Sequence, residues 1–136
     1  MEAHPELFDP TRDPRADLEA ARSAAAKDGK DILLALGARW CPDCIAFEDW
    51  TREPEVAEYL RQKYHVVTVS VGTERGQRDQ NSDIDADFNH PIAGGIPALS
   101  VLNPAGKIRF DSADGEFASA RKMKAADLLE FLKYGR

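Results

Sequence analysis

Ile32-Leu33-Leu34-Ala35-Leu36 is an unbroken aliphatic run, closed by Gly37 and followed two residues later by Trp40-Cys41-Pro42-Asp43-Cys44. Such a run is typical of a strand covered on both faces. Pro42 suits the first turn of a helix, so a helix starts at the cysteine pair and runs through Phe47 and Glu48 to about Thr51. A buried strand, a short turn and a helix that opens on Cys-x-x-Cys form a specific arrangement. The i, i+3 spacing puts both sulfurs on one helix face, near enough for a disulfide to close.

The two sulfurs are not equivalent. Cys41 sits at the helix N-terminus, where unpaired N–H groups and the helix dipole favour an anion, so its pKa is expected below the free value of about 8.5. Cys44 lies a turn further in and is expected to stay protonated. These environments give Cys41 the role of nucleophile, which forms a mixed disulfide with a substrate, and Cys44 the role of resolving thiol. Trp40 offers an apolar flank to a partner chain and shields the sulfur, and Pro42 stiffens the loop. Asp43 works against the thiolate, since a nearby carboxylate disfavours it. Cys41 is therefore expected to be less acidic than with a neutral residue at position 43.

These are the only cysteines in 136 residues. That count excludes a disulfide-stapled mini-protein and a four-cysteine zinc site. Half a zinc site would need two more ligands, and only His4, His65 and His90 are available, none paired at ligand spacing. A purely structural disulfide closing so small a loop would constrain the unfolded chain little. The length suits one domain, and 43% apolar with 31% charged residues argues against disorder. A net charge of −6 makes a phosphate-tracking, nucleic-acid-binding surface a poor first reading. No run of 18 apolar residues is present to span a membrane.

The rest of the chain alternates. Residues 1–12 hold two prolines and no periodicity and read as an N-terminal arm, leaving 13–136 as the domain. Asp13-Pro14 is a helix cap, Leu18, Ala21 and Ala25 form one helical face, and Gly29 ends it. Pro54 starts another helix through residue 62, with Val56 and Leu60 inward. Residues 65–71 are a strand by β-branching. Residues 72–80 are a loop, a short helix holds Ile84 and Phe88, and Gly94-Gly95-Ile96-Pro97 breaks any regular element. Residues 98–102 and 107–110 form a hairpin about Asn103-Pro104-Ala105-Gly106. A last amphipathic helix covers about 124–133. The order predicts an α/β fold with a central mixed sheet, helices on both faces and the first two strands parallel.

At these residues the chain resembles the thioredoxin superfamily. The strand, the Trp40-Cys41-Pro42-Asp43-Cys44 motif, Gly95-Ile96-Pro97 before a strand, the Lys107 hairpin and the final helix fall in that order, from about residue 16 to the C-terminus. The leading arm and helix look like bacterial thioredoxin-like disulfide reductase and isomerase proteins. The five-residue motif also looks like that of small cytosolic thioredoxin-related proteins in eukaryotes. The resemblance implies that Cys41 and Cys44 are the nucleophilic and resolving cysteines and that Pro97 is the family's cis-proline. A cis bond there would expose the Ile96 backbone to an extended substrate segment.

Departures from the family pattern follow. The buried acid that precedes the nucleophile by six residues in thioredoxin is here Ala35, and the lysine that partners it is absent from residues 66–71. Asp43, Glu48 or water is left to take the proton of Cys44. Ala98 replaces a threonine after the proline. Residues 72–94 are longer than their thioredoxin counterpart. Asp83, Asp85 and Asp87 alternate there like a calcium loop, but Phe88 and Gly94 stand where its glycine and closing glutamate belong, so a solvated acidic face is expected. That segment is expected to border the active site and to disfavour acidic partners. His90 is expected at the surface, and Trp50, Phe88 and Phe110 in the core.

The reading is a monomeric thiol–disulfide oxidoreductase, a reductase or isomerase of protein disulfides that exchanges electrons with a redox partner protein and binds no cofactor or metal. The alternative is a redox-inactive module that holds peptides at Ile96-Pro97. The lean is to the periplasm, with a leader absent from this chain, and the cytoplasm is the alternative. Direction of electron flow depends on the potential of the pair, to which the missing acid at Ala35 and the added acid at Asp43 contribute at different steps.

Overall fold

The computed structural model describes residues 7–135. Helix α1 (Pro14–Asp28) begins where Asp13 accepts hydrogen bonds from the N–H groups of Arg15 and Ala16 at 3.1 and 3.3 Å. It ends where Gly29, at φ +76°, donates to the Ala25 carbonyl. Its buried face is Leu18, Ala21 and Ala25, as the spacing predicts.

Strand β1 (Asp31–Gly37) is the spine of the sheet. It pairs in parallel with β2 (Tyr64–Ser70) and antiparallel with β3 (Ala98–Leu102), and β4 (Ile108–Asp111) continues antiparallel beyond β3. The sheet order is β2-β1-β3-β4. Being central and covered by helices, β1 has no solvent face, which is why Ile32 to Leu36 is apolar at every position and fully buried. Burying side chains of this size is worth about 1.5–3 kcal/mol each.

Helices α2 (Pro42–Thr51), α3 (Pro54–Lys63), α4 (Ser82–Asp87) and α5 (Ala125–Tyr134) complete the thioredoxin-like arrangement of a mixed sheet flanked by helices. Pro42 and Pro54 each stand at the first helical position. Leu128, Leu129, Phe131 and Leu132 are the buried face of α5.

Some details depart from the sequence pattern. Phe88 caps α4 rather than lying within it, and it is half-buried, as is Phe110, whereas Trp50 is buried. A 3-10 turn, Pro91–Gly94, occupies part of the expected break. Between β4 and α5, where no pattern predicts an element, lies a second 3-10 turn, Ala120–Lys122.

The acidic face of α4 is not simply solvated. Asp83 and Asp87 both bind Arg15 of α1. Asp85 is buried and accepts from the Ile92 N–H at 3.1 Å, with His90 Nδ1 at 3.0 Å. The charges that resemble a calcium loop are thus matched by protein partners, two at the surface and one in the interior. His90 itself is exposed.

Within the N-terminal arm, residues 1–6, His4 among them, lie outside the described residues. Phe8 is buried, its N–H donates to Thr68 Oγ1 at 2.9 Å, and its ring meets that of Phe47 on α2.

Candidate active site

Strand β1 delivers the chain to the site. Gly37 ends it, and Cys41 caps α2 in extended conformation, its N–H donating to the Ala38 carbonyl at 3.2 Å. Pro42 follows as the first helical residue, so the absent N–H leaves no donor unsatisfied. Cys44 comes one turn later. Both thiols are free and buried, Cys41 at 5% exposure and Cys44 at 1%.

Each sulfur has a distinct surrounding. The Ala38 N–H points at Cys44 Sγ from 3.4 Å, and Cys41 Sγ lies 3.9 Å from the Ile96 carbonyl. The Ile96-Pro97 peptide is cis. Residues 55 positions apart therefore meet at the Cys41 sulfur. Trp40 is half-buried beside the pair, with its indole N–H enclosed and without an acceptor among the described residues.

The electrostatics separate the pair. The Cys44 thiol hydrogen-bonds the Cys41 sulfur, and the N–H groups of Cys44 and Asp43 add to it, so the Cys41 pKa is pulled down to about 6. Burial works against this shift, and the Asp43 charge opposes it most weakly. Cys44 goes the other way: its bond to Cys41, then its burial, push the thiol far above its ordinary range.

Asp43 is where sequence reasoning and geometry part most clearly. Its carboxylate does oppose the thiolate, in the expected direction, but it is not a bare charge. It accepts from the Arg121 backbone N–H at 2.9 Å and from Arg121 Nη1 at 3.1 and 2.9 Å. Arg121 stands 78 positions later, on the Ala120–Lys122 turn, and no local pattern announces it. With Asp43 so engaged, it is a poor stand-in for the acid missing at Ala35. Position 35 itself is fully buried, between Thr68 and Leu99 in the sheet register.

The segment that carries Arg121 also braces the other side of the site. Ser112 exchanges hydrogen bonds with the Leu99 backbone, both at 2.9 Å. Gly94 packs so closely on it that a Cβ there would lie 2.4 Å from the Ala113 carbonyl oxygen, and one on Gly95 would lie 3.0 Å from Ala118 Cβ. Residues 112–121 thus run from the segment preceding Ile96 to the first turn of α2.

Among the described residues no cluster of three or more His, Cys, Asp or Glu could hold a metal ion. Among them, too, no helix is long and apolar enough to cross a membrane.

The arrangement is shared with known proteins. A family model described as thioredoxin-like matches residues 13–104, which span β1, the cysteine pair and β3. A solved disulphide isomerase from Xylella fastidiosa Temecula1 is similar at 32% identity and a TM-score of 0.87, covering 95% of this chain and 96% of its own. A thioredoxin from Thermus thermophilus shares the fold at 19% identity and a TM-score of 0.59, over 85% of this chain and 80% of its own. A protein described as DsbH oxidoreductase shares it at 19% identity and a TM-score of 0.56, over 91% and 92%. By the family match and by the likeness to the Xylella protein over nearly its whole length, the chain belongs to the thioredoxin-like family.

Proposed function

We propose that the protein is a thiol–disulfide oxidoreductase working through Cys41 and Cys44, as a monomer, on disulfides of proteins. The observation that carries this reading is the asymmetry of the pair: two free thiols on one helix turn, one pulled down to about 6 and the other pushed up.

The Cys41 thiolate attacks one sulfur of a substrate disulfide, forming a mixed disulfide and releasing the other sulfur as thiolate. Cys44 then gives up its proton and attacks Cys41 Sγ. That expels the second substrate thiolate and leaves a Cys41–Cys44 disulfide. Two electrons have passed from the dithiol to the substrate, and a partner dithiol must return them. If a second substrate thiolate attacks the mixed disulfide instead, Cys41 leaves unchanged and the substrate disulfide has been rearranged. Reductase and isomerase differ only in which thiol resolves the intermediate.

Ile45, an exposed large apolar residue one turn after Cys41, and half-buried Trp40 support a protein substrate by offering apolar contact at the sulfur. The Xylella protein, described as a disulphide isomerase, supports the same reaction class.

The test is insulin-disulfide reduction and rearrangement of a scrambled disulfide protein by wild type, Cys41→Ser and Cys44→Ser. Wild type is expected to turn over both or one of these. Cys41→Ser should be inert, and Cys44→Ser should accumulate the mixed disulfide. Equal rates for wild type and Cys41→Ser would overturn the reading.

A further inference from the structure

We infer that Arg121 is a positioning residue for the cysteine pair: by binding the Asp43 carboxylate it holds that charge off the Cys41 thiolate and so sets how oxidising the pair is. The inference rests on the proposed function and assigns a regulator to the same site.

The geometry is specific. Asp43 occupies the first turn of α2, between the two cysteines, and its side chain is only 10% exposed. A carboxylate is favourable at a helix N-terminus, but a thiolate on the same turn competes for that field and is repelled by it. Arg121 answers with one guanidinium nitrogen, Nη1, shared between both carboxylate oxygens, and with its own backbone N–H. The backbone N–H and the charged Nη1 of one residue together fix the direction of the carboxylate as well as offset its charge.

The turn is itself held. Ala120 is fully buried and Phe117 nearly so, the latter packed edge-on against Trp50 of α2 and Phe131 of α5. Met123 and Lys122 donate back to Ala120 and Ser119 at 2.9 Å. The Arg121 backbone is therefore presented to α2 by a packed seat, not by the long side chain alone.

The other charged residues on the neighbouring segments are Arg39 before the pair, Glu48, Asp49 and the C-capping Arg52 further along α2, and Asp114, Glu116 and Lys122 on the run that carries the turn. Residues 94–97, facing Cys41 from the other side, carry none. Asp43 is thus the sole acid on the turn that holds both sulfurs, and Arg121 its direct counterion.

Neutralising Arg121 leaves the carboxylate beside the thiolate with a backbone N–H donor but no counterion. An uncompensated neighbouring charge of this kind moves a pKa by about one unit or more. For Arg121→Gln the Cys41 pKa is expected to rise by about one unit. At neutral pH that withdraws about fivefold of the stabilisation of the reduced form, making the pair more reducing by about 20 mV.

The experiment reads the Cys41 pKa from the pH dependence of alkylation, and the dithiol–disulfide equilibrium against glutathione. It uses wild type, Arg121→Gln, Asp43→Asn and the double variant. Arg121→Gln should shift both readouts as stated. The double variant should return close to Asp43→Asn, because the arginine then has no carboxylate to hold. A role confined to docking the turn would leave the double variant as perturbed as the single one, and that result overturns the proposal. So does an unshifted pKa in Arg121→Gln. Arg121→Met, which keeps the aliphatic stem, repeats the comparison if the glutamine variant does not fold. Alkylation of Cys41 needs no turnover, so a protein without disulfide exchange activity refutes the proposed function while still deciding this inference.

Discussion

Gly37 is the tightest point behind the cysteine pair, and replacing it by alanine tests the packing there. A Cβ at this position would sit 2.8 Å from Cys44 Sγ and 2.8 and 2.9 Å from two ring carbons of Phe8. Ordinary contact between such atoms is about 3.5–4.0 Å, so each neighbour must retreat by about 0.7 Å or more. Neither can swing into solvent, since Phe8 is 2% exposed and Cys44 1%. Overpacking of this kind costs about 1–3 kcal/mol, and the loss of glycine freedom in the unfolded chain returns about 0.4–1 kcal/mol. Gly37→Ala is therefore expected to lose about 1–2 kcal/mol in urea denaturation. If Phe8 yields, the arm lifts from Thr68 and Phe47, and the cysteine chemistry survives. If Cys44 yields, the hydrogen bond that lowers the Cys41 pKa is disturbed, and alkylation at neutral pH slows. Phe8→Ala separates the two routes. Alone it should cost about 3–5 kcal/mol, while combined with Gly37→Ala the total should fall short of the sum by about 0.5–3 kcal/mol. A Gly37→Ala protein within about 0.5 kcal/mol of wild type, with unchanged thiol reactivity, would refute the packing argument.

Other outcomes are also open to measurement. Alkylation of Cys41 should climb as pH rises through about 6 and then level off; a midpoint near the free-thiol value would contradict the hydrogen bond from Cys44. Because the folded-state pKa is depressed from the ordinary thiol value of 9.0 to about 6, the reduced protein gains stability from Cys41 as pH rises between those values and loses it as pH falls through the lower one. The oxidised protein, lacking the titrating thiol, should not show this dependence in parallel melts. Asp85→Ala removes the acceptor of the Ile92 N–H and should cost about 1–3 kcal/mol, with faster amide exchange at residues 89–95; unchanged protection there would count against it. Ala35→Asp restores the family's acid without a partner in a fully buried site, so it should destabilise by about 3 kcal/mol or more rather than speed resolution by Cys44; a folded, faster variant would show that position 35 is not apolar in effect.

Much of the fold is legible because its signals are local. The aliphatic run of β1, the proline starts of α2 and α3, and the cap at Asp13 each depend on residues within a few positions of one another. The cysteine asymmetry is legible for the same reason, since it follows from places on one helix turn. What escapes is non-local. Phe8 looks like part of an arm until Gly37 leaves room for its ring, and the apolar pair Leu7-Phe8 amid prolines and acids is the signal it offers. Arg121 lies in a stretch without periodicity and matters only because its turn is packed against α2. The acids of α4 look solvated because spacing reveals a face but not its partners, which come from α1 and from the following loop.

The run of residues 112–121 touches both rims of the site, closing on Gly94 and Gly95 at one end and on Asp43 at the other. The two rims are therefore joined mechanically through one short run of chain. A change in this run moves the surface beside Ile96 and the charge beside Cys41 together, and a bulkier residue at 94 is blocked by the Ala113 carbonyl whatever the substrate. Transplanting the run into a relative calls for positions 43, 94 and 95 to travel with it as one module.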